Sequence, residues 1–513
     1  MPIATVNPAT GELIEEFASL TKEQVNQRLT QAEAAAAMLR ATDFDTRARW
    51  MRAAADLVEA EAAHTARRLT IEMGKPIAQA RGEVLKCAHA MRFYADNAEI
   101  LLADQPLTDP STVRASAAYT SYEPLGVVLA VMPWNYPMWQ VIRFAAPALM
   151  AGNVGLLKHA SNVPQSAMYL DTLFERAGFP VGSFQTLLIG SADVEAVVRD
   201  RRVAAVTLTG SEPAGRSIAA VAGSEVKKAV LELVPRQATF APSRRPARPL
   251  AAPAESPSTS STRTSGRHAE STHRTPLLDG QTLPAAALGG SDPFIVLPSA
   301  DVRAAARTAV TARTINNGQS CIAAKRFIVH TEVYEEFVEV FVTGTKALTV
   351  GDPLDEETEI GPIATESGRR ELVELVDDAI TKGAVLRCGG SAVGTEGWFF
   401  EPAVLEEVTD EMRVYREEAF GPLAVVHRVD DIEQAAALAN DTTFGLSSSV
   451  WTTDPDEERF LITRLEAGAV FVNGMSVSYP ELPFGGVKDS GIGRELAAEG
   501  IREFCNLKTI WKS

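Results

Sequence analysis

The amino-acid sequence predicts an α/β protein built on two doubly wound parallel sheets. From residue 124 to 233, short apolar runs alternate with segments at helical spacing, and residues 293–425 repeat the pattern. The run Val127–Met132 is apolar at every position, as a strand buried on both faces of a parallel sheet requires. Ligands of such sheets bind at the carboxyl ends of the strands, so functional residues are expected there.

Three further segments have a different character. Residues 22–104 carry Ala, Leu and Val at helical spacing, which predicts helices, and residues 105–123 predict an extended arm. Residues 234–288 are loaded with Pro, Ser, Thr, Ala and Arg, contain no Lys and have no apolar period. Such a composition cannot bury enough surface to offset its ordering entropy. We therefore interpret residues 234–288 as a disordered insertion, with a shifted reading frame or an error in the gene model as the alternative, because the composition resembles GC-rich DNA read out of frame.

The composition is that of a globular protein with two or three domains. Of its 513 residues, 46% are hydrophobic and 22% are charged, and the formal net charge is −17. This charge argues against nucleic acid or an anionic membrane as a main partner. The N-terminus lacks a signal-peptide pattern and no run of about 18 apolar residues occurs. We therefore expect a cytoplasmic protein.

The four cysteines, Cys87, Cys321, Cys388 and Cys505, stand far apart and lack the spacing of a metal site. We expect free thiols and no metal. Cys321 differs from the others because it follows Asn-Asn-Gly-Gln-Ser. Gly318 in this segment allows a tight turn, which would present the thiol and its backbone N–H to a substrate.

Two other residues have the chemistry of a catalytic site. Asn135 lies in Pro-Trp-Asn-Tyr-Pro directly after the run that ends at Met132. The two prolines fix this loop, so the amide can donate to a developing oxyanion. Glu232 is a carboxylate within the apolar segment Lys228–Leu233. Buried carboxylates are rare without a partner or a function, and a general base is one such function.

These residues fall in six short motifs that occur in the order found in the aldehyde dehydrogenase superfamily. The chain resembles this family over its whole length except residues 234–288, and it looks most like the bacterial NADP-dependent succinate-semialdehyde dehydrogenases. The resemblance implies a small β arm for oligomerisation and a homodimer or homotetramer. The motifs are Pro133–Pro137, Thr209–Ser211, Glu232–Leu233, Gly318–Cys321, Glu418–Pro422 and Pro483–Lys488.

The resemblance also implies chemical roles. Cys321 attacks an aldehyde carbonyl, and Asn135 with the backbone N–H of Cys321 stabilises the tetrahedral oxyanion. Hydride transfer to the nicotinamide leaves a thioester, and Glu232 activates the water that hydrolyses it. A thiolate is both a good nucleophile and a good leaving group, so one residue serves both halves of the reaction.

The expected cofactor is NADP, with NAD as the alternative. In the family, a Glu at the position of Ser161 binds the ribose hydroxyls of NAD and repels a 2′-phosphate. Ser161 removes that charge, and Lys158 places an ammonium near the same ribose. The sequence therefore favours NADP.

Other residues are assigned to the cofactor by position. The helix after Gly210 is expected to face the pyrophosphate with its N-terminus, although the chain has no G-x-G-x-x-G motif. Glu418 and Phe420 resemble the pair that holds the nicotinamide ribose and ring. The full set is Trp134, Lys158, Ser161, Gly210, Ser211, Gly215, Leu233, Glu418 and Phe420.

The resemblance implies a semialdehyde substrate, such as succinate semialdehyde. Arg143 and Ser478 stand where semialdehyde dehydrogenases bind a distal carboxylate. The second Arg of that clamp, six residues before the cysteine, is Ile315 here, so the preference for a charged substrate is expected to be modest. The alternative, that Arg143 is a structural residue of its helix, stays open.

The implied domain organisation is interrupted at the strand that carries Glu232. In relatives, this strand continues from Glu-Leu straight into Gly-Gly-Ser, whereas residues 234–288 intervene here. Two alternatives to the active enzyme follow: a cofactor-binding relative impaired by the insertion, or an enzyme that passes the acyl group to coenzyme A. The expected units are a cofactor-binding domain (1–233, with 105–123 in the oligomerisation arm), the insertion (234–288), a catalytic domain (289–422), a return to the cofactor-binding domain (423–470), and an active-site loop with the rest of the arm (471–513).

Overall fold

The computed structural model describes residues 2–234 and 290–513. The predicted insertion at 234–288 therefore lies outside the described residues, apart from the backbone of Val234, which ends a strand. The disorder of the insertion stays a prediction. The fold set out below is that of the described residues.

The helices follow the sequence pattern closely. The first begins at a capping box, in which Thr21 Oγ1 accepts from the backbone N–H of Gln24 and the Gln24 side chain accepts from the N–H of Thr21. The α-helices are α1 Lys22–Ala41, α2 Phe44–Ala60, α3 Ala62–Met73, α4 Ile77–Leu101, α5 Trp139–Ala151, α6 Pro164–Arg176, α7 Val194–Arg199, α8 Glu212–Ser224, α9 Val302–Thr314, α10 Tyr334–Lys346, α11 Glu366–Thr381, α12 Arg413–Arg416, α13 Ile432–Asn440, α14 Pro455–Arg464 and α15 Ala497–Glu503.

The strands form two large sheets, a three-stranded sheet and two small hairpins. Their bounds are β1 Ile3–Val6, β2 Leu13–Phe17, β3 Gln105–Pro106, β4 Ala117–Pro124, β5 Val127–Met132, β6 Val154–His159, β7 Phe184–Thr186, β8 Val203–Ser211, β9 Lys228–Val234, β10 Pro293–Val296, β11 Arg326–His330, β12 Val385–Cys388, β13 Ala392–Val393, β14 Phe399–Phe400, β15 Ala403–Glu406, β16 Leu423–Val429, β17 Ser447–Trp451, β18 Ala469–Val472, β19 Gly491–Ile492 and β20 Cys505–Lys512.

The first large sheet has the order β19-β9-β8-β5-β6-β7, and only the edge strand β19 is antiparallel. This order confirms the predicted doubly wound arrangement. Helix α5 connects β5 to β6 and is buried at every position. In register, Met132 pairs with His159 and Thr209 pairs with Glu232. The carboxyl ends of β5, β6, β8 and β9 therefore meet at one edge, where the predicted functional residues lie.

The second large sheet has the order β12-β15-β16-β11-β10-β17-β18, with β12 antiparallel and the other strands parallel. The sequence predicted that residues 423–470 return to the cofactor-binding domain, which is built on the first sheet. That prediction is wrong. Strand β16 pairs with β11 and β15, and β17 pairs with β10 and β18. Buried parallel strands have the same apolar composition in either sheet, so their sequence did not reveal which sheet they join.

The C-terminal part of the chain adds one strand to the first sheet and another to the sheet that contains the predicted arm. Gly491 in β19 pairs with Glu232, and a Cβ there would lie 1.9 Å from the carbonyl oxygen of Leu231. Strand β20 pairs along β4, which also pairs with β3. This antiparallel sheet contains the segment 105–123 expected as an arm, and the role of the arm in oligomerisation stays a prediction.

The described residues contain no helix that is both long and apolar enough to cross a membrane. Within the same residues, no group of three or more His, Cys, Asp or Glu side chains has the arrangement of a metal site. All four cysteines are free thiols.

Candidate functional site

Cys321 follows a tight turn made by three consecutive residues with left-handed backbone. The φ angles are 57° at Asn316, 56° at Asn317 and 71° at Gly318. Asn and Gly are the residues that adopt this conformation most readily. A Cβ on Gly318 would also lie 2.4 Å from the carbonyl carbon of Gly421. The tight turn predicted from the sequence is confirmed.

Hydrogen bonds from other segments hold this turn in place. The Nδ2 of Asn317 donates to the carbonyl oxygens of Gly74 and Pro362 at 2.9 and 3.0 Å. Its Oδ1 accepts from the N–H of Gly361 at 2.8 Å. The buried guanidinium of Arg313 donates to the carbonyl oxygen of Gly318 at 2.6 Å. The turn is therefore fixed before a substrate arrives, as a catalytic nucleophile requires.

The thiol of Cys321 faces the carboxylate of Glu232. The Sγ donates to Oε1 at 3.1 Å, and the residues are 4% and 5% exposed. Burial raises the pKa of Cys321 to about 11, while the charges of Arg143 and Lys325 oppose this rise. The thiol is therefore protonated near neutral pH. A carboxylate in hydrogen-bond contact can accept its proton when the nucleophile is needed.

Asn135 lies in the loop between β5 and α5, against the segment that precedes Cys321. The side-chain Nδ2 of Asn135 donates to the backbone carbonyl oxygen of Gln319 at 3.1 Å. The backbone carbonyl oxygen of Asn135 accepts from Nδ2 of Asn316 at 2.8 Å. An amide nitrogen carries two N–H groups, so one remains for an oxyanion. The structure thus brings Asn135, Glu232 and Cys321 together.

The structure places Arg143 differently from the expected clamp on a substrate carboxylate. Its guanidinium forms an ion pair with Glu232, donates to Thr209 Oγ1 at 3.2 Å, and lies 2.5 Å from Glu495 Oε2 without the alignment of a hydrogen bond. Arg143 is 2% exposed. A buried cation needs compensating charge, and two protein carboxylates supply it here. The guanidinium is therefore engaged with the protein itself.

Glu495 is the second carboxylate on Arg143. Burial raises the pKa of Glu495, and Arg143 opposes that rise. Its backbone exchanges two hydrogen bonds of 2.7 Å with Phe484, and the Phe484 ring lies 4.9 Å from the Arg143 guanidinium carbon. Phe484, on the loop after β18, and Glu495, which follows β19, thus both contact the Arg143 guanidinium.

Ser478 lies on the loop after β18, and its hydroxyl contacts α4 and α5. Its Oγ accepts from Trp139 Nε1 at 3.0 Å and from Lys86 Nζ at 2.9 Å. Among the described residues, no hydrogen bond joins Ser478 to Arg143. The two residues expected to share one ligand carboxylate are thus engaged with different partners.

The residues expected to hold the adenosine end of the cofactor line the carboxyl edge of the first sheet. Lys158 is the penultimate residue of β6 and is 9% exposed, and burial lowers the pKa of its ammonium. Ser161 follows in the next turn. Gly210 and Ser211 end β8, and Ser211 precedes α8 without capping it through its side chain. The first N–H groups of α8 are thus left for another acceptor.

For two more residues assigned to the cofactor, the position of the backbone shows where they lie. Gly215 lies in the first turn of α8. Leu233 pairs with Gly210 across β9 and β8. Both positions therefore adjoin the N-terminus of α8.

The residues expected to hold the nicotinamide end lie beside the Cys321 backbone. Phe420 and Trp134 pack edge to face with ring centres 5.7 Å apart. Glu418 lies 2.6 Å from Lys325 Nζ, yet neither of its buried carboxylate oxygens has an aligned hydrogen bond. Burial raises the pKa of Glu418 to about 7, and Lys325 opposes this rise. Lys325 also donates to the carbonyl oxygen of Cys321 at 2.8 Å.

Sequence reasoning missed four charged residues of this site. For Lys325, one feature of the sequence could have suggested a buried functional cation: it directly precedes the apolar strand β11. Arg313, Glu495 and Lys86 had none, because each lies in a polar or helical segment that looks solvent-exposed in the sequence. Their roles depend on partners that are distant in the chain.

Comparisons with known proteins show which family this chain resembles. The model of the aldehyde dehydrogenase family matches residues 1–240 and 259–510. The protein named succinate-semialdehyde dehydrogenase (NADP+) 1 of Mycobacterium tuberculosis (strain ATCC 25618 / H37Rv) is 54% identical over 511 residues, which span all of both chains. A protein of Mycobacterium avium (strain 104) named succinate-semialdehyde dehydrogenase (NADP+) is 53% identical over all of this chain and 97% of its own.

A solved structure of a related enzyme has the same fold as this chain. Succinic semialdehyde dehydrogenase from Streptococcus pyogenes, in complex with NADP+ as the cofactor, has a TM-score of 0.85 with 31% identity and 99% coverage of each chain. The chain belongs to the aldehyde dehydrogenase family.

Proposed function

We propose that this chain oxidises succinate semialdehyde to succinate, with NADP as the hydride acceptor and Cys321 as the nucleophile. The observation that carries the proposal is the 3.1 Å contact between Cys321 Sγ and the carboxylate of Glu232 within a buried site. The names of the Mycobacterium relatives support the substrate and the cofactor. The test is NADPH formation by the purified protein with succinate semialdehyde as substrate.

The first half-reaction forms a bond from Cys321 to the substrate. Glu232 takes the thiol proton, and the thiolate adds to the aldehyde carbon. The resulting oxyanion accepts hydrogen bonds from the free N–H of the Asn135 side chain and from the Cys321 backbone. NADP, when bound, supplies the acceptor for the hydride that leaves this carbon. Loss of the hydride restores the carbonyl and leaves a thioester on Cys321.

The second half-reaction hydrolyses the thioester. Glu232 first releases the thiol proton to solvent and then takes a proton from water, the hydroxyl adds to the thioester carbon, and the Cys321 thiolate leaves. The carboxylic acid then ionises, and Glu232 returns its proton to the Cys321 thiolate, which restores the resting thiol. A base beside the sulfur favours hydrolysis over transfer of the acyl group to coenzyme A, which was an alternative from the sequence.

The residues present fit a dinucleotide. Lys325 forms an ion pair with Oε1 of Glu418, whereas Oε2 is buried without a hydrogen-bond partner and can accept from a ribose hydroxyl. The N-terminus of α8 offers backbone N–H groups to a pyrophosphate. Lys158 and Ser161 present a cation and a hydroxyl, which suit a 2′-phosphate. These features support NADP as the cofactor.

Cofactor preference should shift toward NAD in the variant Ser161→Glu. A carboxylate at position 161 would repel a 2′-phosphate, so we expect the preference for NADP over NAD to fall by about tenfold or more. The measurement is kcat/KM for each cofactor at saturating aldehyde, with Ser161→Ala as the uncharged control. A wild-type protein that prefers NAD would contradict the assignment.

We also propose a cytoplasmic homo-oligomer, a dimer or a tetramer. The three-stranded sheet of β3, β4 and β20 presents apolar side chains to solvent, with Leu507 57% and Trp511 52% exposed. Burial of such side chains against a second copy would favour association. The four free cysteines support a reducing compartment.

Deleting residues 234–288 should raise steady-state turnover severalfold. The sequence predicts that this segment loosens the strand carrying Glu232, and the deletion joins Leu233 directly to Gly289. Hydrolysis needs Glu232 to orient and deprotonate a water, which tolerates a displaced base less well than the direct proton transfer from the thiol, so the full chain should show a burst of NADPH and then a slower rate. Rapid mixing measures both phases. A deletion variant less active than the full chain would show that the segment is an integral part of the enzyme.

A further inference from the structure

The catalytic turn ends in two carbonyl oxygens that bind the same lysine. Lys325 directly precedes β11 and is 4% exposed. Its Nζ donates to the backbone carbonyl oxygens of Ser320 at 3.0 Å and of Cys321 at 2.8 Å. The same Nζ forms an ion pair with Oε1 of Glu418 at 2.6 Å. One buried ammonium therefore joins the backbone of the nucleophile to the carboxylate assigned to the nicotinamide ribose.

The carbonyl of Ser320 belongs to the peptide unit that carries the N–H of Cys321. A trans peptide unit is planar, so its C=O and N–H bonds point in opposite directions. A donor that fixes the Ser320 carbonyl therefore fixes the direction of the Cys321 N–H as well. A cation on the carbonyl oxygen also draws electron density from the N–H, which makes that group a stronger donor. Lys325 thus acts on the N–H expected to stabilise the oxyanion.

The N–H of Cys321 is available for an oxyanion. Among the residues that the structure describes, it donates no hydrogen bond. The Ser320 carbonyl accepts one other hydrogen bond, from the N–H of Ala323 at 3.2 Å within the same turn. Lys325 therefore adds a charged partner to this peptide from outside the turn.

The earlier part of the turn does not depend on Lys325. Arg313 donates to the carbonyl oxygen of Gly318 at 2.6 Å, and Asn135 donates to that of Gln319 at 3.1 Å. Loss of the lysine should therefore leave the turn folded, because these contacts remain. The last peptide of the turn would lose its charged partner and gain freedom to rotate.

The backbone of Lys325 is held between two strands of the second sheet. Its N–H donates to the carbonyl oxygen of Asp292 at 3.1 Å, just before β10, and its carbonyl accepts from the N–H of Val425 in β16 at 3.0 Å. The carboxylate of Asp292 accepts from the N–H and the hydroxyl of Ser447, so it is engaged elsewhere. Lys325 thus reaches the turn from a fixed point.

We propose that Lys325 is a positioning residue of the oxyanion site, which orients and polarises the peptide between Ser320 and Cys321 so that its N–H stabilises the tetrahedral oxyanion. The ion pair with Glu418 holds the ammonium in place for this role. The inference rests on the proposed function, because the oxyanion arises in the thiol addition proposed above.

A ketone that cannot be oxidised tests this role without cofactor or semialdehyde. The Cys321 thiolate adds to the carbonyl carbon of trifluoroacetone, the carbonyl electron pair becomes an oxyanion, and Glu232 takes the thiol proton. That carbon carries no hydride, so the adduct stays. Iodoacetamide is the reference reagent, because the sulfur displaces iodide from it and no oxyanion forms. A change in thiol ionisation affects both reactions, whereas a change in the oxyanion site affects the ketone alone.

In Lys325→Met, the dissociation constant of the trifluoroacetone adduct, measured by fluorine NMR, should rise about tenfold to a hundredfold. The rate of alkylation by iodoacetamide should fall by a clearly smaller factor. Lys227→Met is the matched control. The Nζ of Lys227 also donates to two carbonyl oxygens, those of Val198 and Asp200 at 2.6 Å each, but Lys227 precedes β9 at its amino end. This control should keep the wild-type ketone affinity.

A second pair of variants avoids the unpaired carboxylate that Lys325→Met leaves behind. Glu418→Gln and the double variant Glu418→Gln/Lys325→Met both lack this carboxylate, so the comparison between them isolates the lysine. The difference in ketone affinity, about tenfold or more, should persist between these two proteins.

The outcomes separate this inference from the proposed function. Absence of NADPH formation from succinate semialdehyde would refute the function, whereas the ketone comparison decides the role of Lys325 by itself. Equal losses of ketone affinity and of alkylation rate in Lys325→Met would overturn the inference, because the lysine would then act on the thiol alone. An unchanged ketone affinity in Lys325→Met, or no adduct on Cys321 in the wild type, would overturn it as well.

Discussion

Replacing Cys321 by alanine should abolish aldehyde-dependent NADPH formation, with a loss of at least about four orders of magnitude. The thiol donates a hydrogen bond to the carboxylate of Glu232 at 3.1 Å. Without the sulfur, no thioester forms and neither half-reaction proceeds. The variant should still bind NADP, because the residues assigned to the cofactor are unchanged. Binding measured by calorimetry would show that the fold survives.

The matched control is Cys388→Ala, which removes a half-buried thiol from β12 in the other sheet. It should keep nearly all activity. Alkylation provides a second measurement: burial raises the pKa of Cys321 to about 11, so its reaction with iodoacetamide should accelerate as pH rises from 7 toward that value. Near-normal oxidation by Cys321→Ala would show that the covalent mechanism is wrong.

The sequence predicted those parts of the site that depend on the properties of a few neighbouring residues. Asn316, Asn317 and Gly318 specify a left-handed turn because few other residues tolerate that backbone. Glu232 was conspicuous as a charge in an apolar strand, and two prolines fixed the loop of Asn135. Each signal spans a few residues. The structure brings these three segments together at the carboxyl edge of one parallel sheet, as the fold class implied.

The partners of Arg143 and Lys86 could not be predicted in this way. Arg143 contacts Glu495, and Lys86 contacts Ser478, across more than 300 positions of sequence. Nothing in a single sequence says that the loop after β18 packs between α4 and α5. The distribution of strands between the two sheets was missed for the same reason, because strand order is set by tertiary packing.

Changing Glu232 to glutamine should lower steady-state turnover by about two to four orders of magnitude. Glutamine keeps the shape of the side chain in β9 but cannot accept a proton from Cys321 or from water. The loss of negative charge also leaves Arg143 with Glu495 as its remaining anionic contact. We expect a lower melting temperature together with the kinetic defect.

The decisive measurement on Glu232→Gln separates the two half-reactions. At pH 9 a larger fraction of Cys321 ionises without a base, so rapid mixing should show a burst of NADPH, up to one per site, followed by a very slow rate. Hydroxylamine attacks a thioester without base catalysis and should accelerate that slow rate. Glu495→Gln is the matched control, since it removes the other carboxylate on Arg143 but none that touches Cys321; its loss should be smaller and show no burst. If Glu232→Gln turns over normally, Glu232 is not the base. If it shows neither a burst nor a response to hydroxylamine, the defect lies before the thioester forms, and the main contribution of Glu232 is to take the proton of the Cys321 thiol.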